Sequence, residues 1–264
     1  MPNTEGAESK GAEDATFLVT ALDNVALTSE CLLSIRRWFP ASPIVLADDG
    51  SRTEFALPLL LLAERHGAKY LHLTRGGKSR AINLAAGLVE TGVTVLCDND
   101  IAVHGSDWLP KHRAWLERPG EGLPRVGAIG GYGNPDFVDV AGQVYCDPSN
   151  DGSPAYCEVV NGGLVTALTA TLRRVPHDEA YWREYEEYAW HFRLREAGLA
   201  VGHIAVPMTH RMCHNASGPG LAARYAEFSA QRNRFLGQHR MRLAPMRSSA
   251  EVRAYMQAGR WGTP

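Results

Sequence analysis

Apolar and polar positions alternate in blocks along the first hundred residues. Strand-length runs recur at Phe17-Leu-Val-Thr-Ala21, Pro43-Ile-Val-Leu-Ala47, Lys69-Tyr-Leu-His-Leu-Thr74 and Val93-Thr-Val-Leu-Cys97. Most are near-continuously apolar, as strands buried on both faces are. Between them the apolar residues fall at helical spacing. Cys31, Leu32, Ile35 and Trp38 predict a helix capped by Thr28 or Ser29, a second helix spans roughly 52–66 and stops at Gly67, and a third runs from about Ser79 to Glu90. Strand alternating with helix predicts a parallel sheet with right-handed crossovers. The second half is less regular. Its spacing predicts a helix from Asp107 to Glu117 and short β-like pieces within 126–157, including Phe137-Val-Asp-Val and Gln143-Val-Tyr-Cys. A strand with a glycine bulge follows over 159–166, then a helix over about 180–197, a strand over 200–209, and basic helices over about 220–238 and 249–258. Neither an internal repeat nor a low-complexity linker breaks the chain, so residues 16–264 read as a single domain. A polar, acidic tail precedes it over residues 1–15 and reads as disordered.

Ligands of such sheets bind outside the carboxyl ends of the strands. Three polar motifs fall there: Asp48-Asp49-Gly50-Ser51, Gly76-Gly77-Lys78-Ser79 and Asp98-Asn99-Asp100. At the tip of a strand side chains alternate, so Asp98 and Asp100 share one side and Asn99 faces away. Two same-side carboxylates make a hard-oxygen site for Mg2+ or Mn2+, ions that commonly carry a diphosphate. Gly76 and Gly77 would let backbone approach a nucleotide at a helix N-terminus. Each motif also has a plainer reading, as an Asp-capped turn or a solvated lysine.

Composition narrows the classes. A formal net charge of -2 argues against a nucleic-acid binder. The five cysteines, at 31, 97, 146, 157 and 213, are odd in number and without Cys-x-x-Cys spacing, which suggests reduced thiols in the cytoplasm. The longest apolar run, Ala56-Leu-Pro-Leu-Leu-Leu-Leu-Ala63, is too short to span a bilayer.

Five blocks, in order, resemble a GT-A fold glycosyltransferase similar to the inverting family 2. They are Phe17-Leu-Val-Thr with Cys31-Leu-Leu-Ser-Ile, Ile44-Val-Leu-Ala-Asp-Asp-Gly-Ser51, Gly77-Lys-Ser-Arg-Ala-Ile-Asn83 leading to Leu96-Cys-Asp-Asn-Asp100, Glu186-Glu-Tyr-Ala-Trp-His-Phe-Arg-Leu-Arg-Glu-Ala-Gly198, and Gln231-Arg-Asn-Arg-Phe235. The resemblance implies an α/β fold with a Rossmann-like, mostly parallel central sheet and helices on both faces. It assigns about 16–104 to the nucleotide-sugar half and about 105–240 to the acceptor half, with C-terminal helices to 264. It implies a donor site of Thr20, Asp23, Asp48, Asp49, Lys78, Asn83, Asp98, Asn99 and Arg234. The metal, Mn2+ or Mg2+, would be held by Asp98 and Asp100, with His210 or His214 as a further ligand. Glu187 aligns with the general base, although Glu-Glu replaces the family's Glu-Asp, which leaves Glu186 open as the base.

The implied activity is sugar transfer from a UDP- or GDP-sugar to a hydroxyl of a small or soluble acceptor. The implied setting is a cytoplasmic bacterial enzyme without a transmembrane segment, for which peripheral membrane contact remains open. Two rivals stand beside it. Leu73-Thr-Arg-Gly-Gly-Lys-Ser-Arg80 also resembles the signature of sugar-phosphate or cofactor nucleotidyltransferases, though there it follows the first strand rather than the third. A non-catalytic nucleotide-sugar-binding protein could keep the fold without turnover.

Overall fold

The computed structural model describes residues 15–118, 123–131, 154–157, 159–182, 185–211 and 234. Four strands, β1 (Ala15–Ala21), β2 (Ile44–Asp48), β3 (Lys69–His72) and β4 (Val93–Asp98), form a parallel block in the order β3-β2-β1-β4. All seven residues of β1 are buried, which explains its continuous apolar run. Helix α1 (Val25–Trp38) joins β1 to β2, α2 (Thr53–Arg65) joins β2 to β3, and α3 (Lys78–Ala85) continues as a 3-10 turn at Ala86–Leu88 before β4.

The second half completes the sheet with β6 (Val126–Gly130), β7 (Ala155–Cys157), β8 (Leu164–Leu168) and β9 (Ala200–His203). The full order is β3-β2-β1-β4-β8-β6-β9-β7, with β8 antiparallel to both of its neighbours and β7 antiparallel to β9. A separate two-stranded ribbon pairs β5 (Ile101–Val103) with β10 (Met208–His210). Helix α4 (Trp108–Glu117) packs with α1 and α2 on one face, where Phe17, Phe39 and Trp108 meet edge to face or tilted. On the other face lie α3, α5 (Thr169–Arg174) and α6 (Glu186–Glu196). The expected mostly parallel α/β sheet, with helices on both faces, is therefore the observed architecture.

Element bounds differ where local chemistry overrides the pattern. Helix α1 starts at least four residues earlier than expected because Asn24 rather than Thr28 caps it, Oδ1 accepting from Leu27 N at 3.2 Å, while the Thr28 hydroxyl turns back to the Asn24 carbonyl. The helix expected over 180–197 begins only at Glu186, because the preceding segment is taken up in docking against α3 (below). The strand expected over 200–209 is two, with β9 in the sheet and β10 in the ribbon, separated by a stretch that includes Pro207. The bulged strand expected over 159–166 becomes a turn at Gly162-Gly163 followed by β8. The β-like pieces at 137–146 and the C-terminal helices lie outside the described residues.

Candidate active site

The carboxyl ends of β1, β2 and β4 bring two of the three polar motifs side by side with the start of α3, which carries the other. Asp48 ends β2 and is fully buried. Its Oδ1 accepts from Ser51 N at 2.8 Å, and its Oδ2 accepts from Tyr70 OH and from His72 Nδ1, the latter at 2.8 Å. Burial works to raise its pKa, but the hydrogen bonds from Ser51, Tyr70 and His72 prevail and hold it below the usual carboxylate range. Asp49 accepts from the backbone N–H groups of Gly76 and Gly77 at 2.9 Å each, and burial pushes its carboxyl upward. The pair expected at the nucleobase thus ties the β2–α2 loop to the β3–α3 loop. Asp23, at positive φ (56°), accepts from Arg52 N at 2.8 Å, and its own N–H donates to Ser51 Oγ.

The α3 N-terminus is fixed from the second half of the chain. Lys78 N donates to Trp182 O at 2.9 Å and Ser79 Oγ to Tyr181 O at 2.7 Å. A Cβ on Gly77 would lie 2.1 Å from Trp182 O, so this approach needs glycine, as does its φ of 92°. Asn83, expected at the donor, clamps the same segment: Nδ2 donates to His177 O at 2.9 Å and to Glu179 Oε1 at 3.0 Å, and Oδ1 accepts from His177 N at 2.9 Å. Arg234 also meets this segment, donating to Ala180 O at 2.7 Å.

Lys78 stands at the centre. Its ammonium lies 2.7 Å from Asp98 Oδ1 and 3.6 Å from Glu186 Oε1, and it donates to Gly162 O at 3.3 Å. Burial alone would lower its pKa, but Asp98, Glu186 and Glu187 raise it well above the ordinary lysine value and keep it charged. Thr20 Oγ1 reaches the same Asp98 oxygen at 3.4 Å. The strand stops at Asp98, and the chain turns at Asn99-Asp100 into β5. Asp98 and Asp100 therefore do not share a strand face and serve different partners. Asn99 donates to Thr28 Oγ1 at 2.8 Å, and Asp100 Oδ1 lies 3.4 Å from His210 Nε2. The ribbon makes that last meeting, since His210 pairs in register with Ile101 and Arg211 N donates to Asp100 O. His214 lies outside the described residues.

Glu186 and Glu187 open α6, where the helix dipole favours negative charge. Glu186 is buried, and its carboxyl is pushed well above the usual range by burial and then by neighbouring Glu187. Glu187 is half-buried and shifted upward by burial, against which Lys78 and a hydrogen bond from Glu186 act. Both carboxyls are pushed upward, chiefly by burial, and the pair titrates together.

One part of the site escaped sequence reasoning. The turn Asn161-Gly162-Gly163 forms a floor between the two halves. A Cβ on Gly162 would meet Glu187 at 3.1 Å, while Gly163 O accepts from Asp98 N at 2.8 Å and its N–H donates to Asn161 Oδ1. The paired glycines, read as a strand bulge, were the available signal.

Residues 16–139 match the family model described as Glycosyl transferase family 2. Just under half of the chain is thus similar to family 2 glycosyltransferases, and its fold is GT-A. Solved structures support the fold across most of the chain's length. The mannosyltransferase PcManGT from Pyrobaculum calidifontis, in complex with GDP-Man and Mn2+, is 18% identical at a TM-score of 0.58, covering 92% of this chain and 69% of its own. GalNAc-T7 with UDP, GalNAc and Mn2+ is 13% identical at 0.59, covering 93% of this chain and 58% of its own. Glucosyl-3-phosphoglycerate synthase from Mycobacterium tuberculosis, in complex with Mn2+, UDP and phosphoglyceric acid, is 16% identical at 0.58, covering 90% and 83%. No curated protein matches the chain. The family match contains Gly76-Gly77-Lys78-Ser79, so the nucleotidyltransferase reading of that motif gives way. No helix among the described residues is long and apolar enough to cross a membrane.

Proposed function

We propose that this glycosyltransferase moves a sugar from a nucleoside-diphosphate donor to an acceptor hydroxyl, with a divalent metal and with inversion at the anomeric carbon. The observation that carries the reading is the meeting of Lys78, Asp98 and the Glu186–Glu187 pair beside Asp100 and His210 at one sheet edge. That similar GT-A structures were solved with GDP-Man or UDP and Mn2+ supports it.

The donor set at Asp100 and His210 fits a divalent cation. A carboxylate oxygen and an imidazole nitrogen stand 3.4 Å apart. No group of three His, Cys, Asp or Glu side chains is gathered for a metal among the described residues. Two protein donors suffice for an ion such as Mg2+, which takes one or two carboxylates and fills its remaining positions with substrate phosphate and water. Once bound, the ion would neutralise charge on the departing diphosphate.

The chain's own groups do the rest. Lys78 supplies a fixed positive charge between the halves, placed to meet a diphosphate. Asp98 and Thr20 line the β1–β4 crevice, where an open sheet of this order binds ligands. Glu187 takes the proton of the attacking hydroxyl, since it is the more exposed of the pair. Glu186, the more deeply buried, interacts with both Glu187 and Lys78 and keeps the base oriented. The test is a panel of nucleotide sugars assayed for nucleoside-diphosphate release with Mn2+ or EDTA, followed by determination of the product anomer. Release that is unaffected by EDTA removes the metal, a retained anomer removes the role of Glu187, and no release from any donor leaves a binding protein.

A further inference from the structure

Asp48 cannot itself greet a ligand. It is fully buried, and its two oxygens already accept three hydrogen bonds, from Ser51 N, Tyr70 OH and His72 Nδ1. A carboxylate offers about four acceptor sites. The group it orients is in a different position. His72 ends β3 in register with Asp48, and its side chain is 47% exposed. Its ring stacks on Tyr70 at 6.3 Å and 26°, so it is held from two directions. Because Asp48 accepts from Nδ1, the neutral ring carries its proton there, and Nε2 is left as an acceptor. Nε2 takes no partner among the described residues.

We propose that His72, oriented by Asp48, reads the nucleobase of the donor by accepting a ring N–H on Nε2. The inference rests on the nucleotide-donor reading above and adds the base-selecting residue and the class of base. Uracil presents N3–H and guanine N1–H on their hydrogen-bonding edges, whereas the matching ring nitrogens of cytosine and adenine are themselves acceptors and would face Nε2 lone pair to lone pair. The site therefore selects uridine or guanosine diphosphates over those of cytidine and adenosine.

The test measures dissociation constants for UDP, GDP, CDP and ADP with Mn2+ by calorimetry, on the wild type, His72→Asn and His72→Gln. Asparagine keeps an amide N–H near the Nδ1 position and loses the outer acceptor. Glutamine reaches the outer position with its amide oxygen. The wild type should prefer UDP or GDP by at least about tenfold. In His72→Asn that preference should shrink by about tenfold, roughly 1.4 kcal/mol, while CDP and ADP binding and the melting temperature stay near wild type. His72→Gln should retain part of the preference. Unchanged discrimination in a folded His72→Asn overturns the inference and leaves the donor reading standing. So does a fall in kcat with discrimination intact, which would mark a structural role. A wild type that favours CDP or ADP overturns it directly. A wild type that binds none of the four overturns the donor reading and the inference with it.

Discussion

The two halves of the molecule hold their polar groups by opposite means. In the first half, carboxylates at strand tips are satisfied by close backbone N–H groups and ring donors: Asp48 by Ser51, Tyr70 and His72, Asp49 by Gly76 and Gly77. In the second half, His112 apart, several imidazoles and a carboxyl are buried with few partners. His191 and His203 are buried with neither ring nitrogen hydrogen-bonded, and the buried Oε2 of Glu186 has no partner. Local satisfaction makes a rigid cradle. Incomplete satisfaction shifts pKa values, which catalysis needs and stability opposes. Under the proposed function, donor binding belongs to the first half and proton chemistry to the second, with Lys78 touching both.

The comparison breaks most visibly at Glu187. Glu187→Gln keeps size and removes the proton-accepting charge, so turnover should fall by about 10^2–10^4-fold, while donor affinity measured by calorimetry stays within a few-fold. Normal turnover in that variant would strip the second half of its assigned chemistry. Asp100→Ala should act on the other side of the divide. It should reduce transfer by about 10^2-fold or more and also weaken Mn2+-dependent nucleotide binding, a double loss that Glu187→Gln should not show. Asn83→Ala severs the clamp between the halves and should cost about 1–3 kcal/mol of stability in denaturant titrations, because three hydrogen bonds with the 177–179 segment go with it. An unchanged midpoint would mean that the segment docks without the clamp.

A pH titration separates the halves without mutation. Burial pushes His112 and His191 down to about 3 and His203 to about 4, and lowers His177 well below its usual value. The unfolded chain binds protons at these residues below about 6.5, and the fold does not. Stability is therefore full above that value and is lost as pH falls toward 4, at about 1.4 kcal/mol per pH unit for each histidine. Melting temperatures that stay flat from pH 7 to 4.5 would contradict this. The smallest expected effect has the opposite sign. Glu186 is raised, so its buried carboxyl weakens the fold as pH rises through its folded pKa. Glu186→Gln should melt at the same temperature as wild type or a few degrees higher at pH 8, while losing part of its activity. A marked fall in melting temperature would show that the charge on Glu186 is structural.

The parallel half was legible because its causes are local. Continuous apolar runs become strands buried on both faces, and polar triplets at their ends mark the ligand edge. That Asp48 and Asp49 turn inward was not legible, since their partners at Tyr70, His72, Gly76 and Gly77 lie across a helix and a loop. Nor could spacing show that Lys78 would meet Glu186, or that Asn83 would clamp residues 177 and 179, because these contacts depend on where a distant segment docks. Asp100 and His210 were matched through the family resemblance, while the β5–β10 ribbon that joins them is built from three-residue strands too short to leave a periodic signal.

Strand β8 governs how the chain can be divided. It lies beside β4 in the sheet although about seventy residues separate them in sequence, and it pairs Val93 to Cys97 with Leu164 to Leu168. A fragment ending at residue 139, where the family match stops, would keep all three strand-end polar motifs. It would also bare the β4 edge that pairs with β8, with the apolar Val93, Val95 and Leu96 in the row. Such an edge invites pairing with another copy of itself. The matched segment is thus a unit of sequence likeness without being a unit of folding, and minimal fragments meant for expression or fusion should run at least through β8.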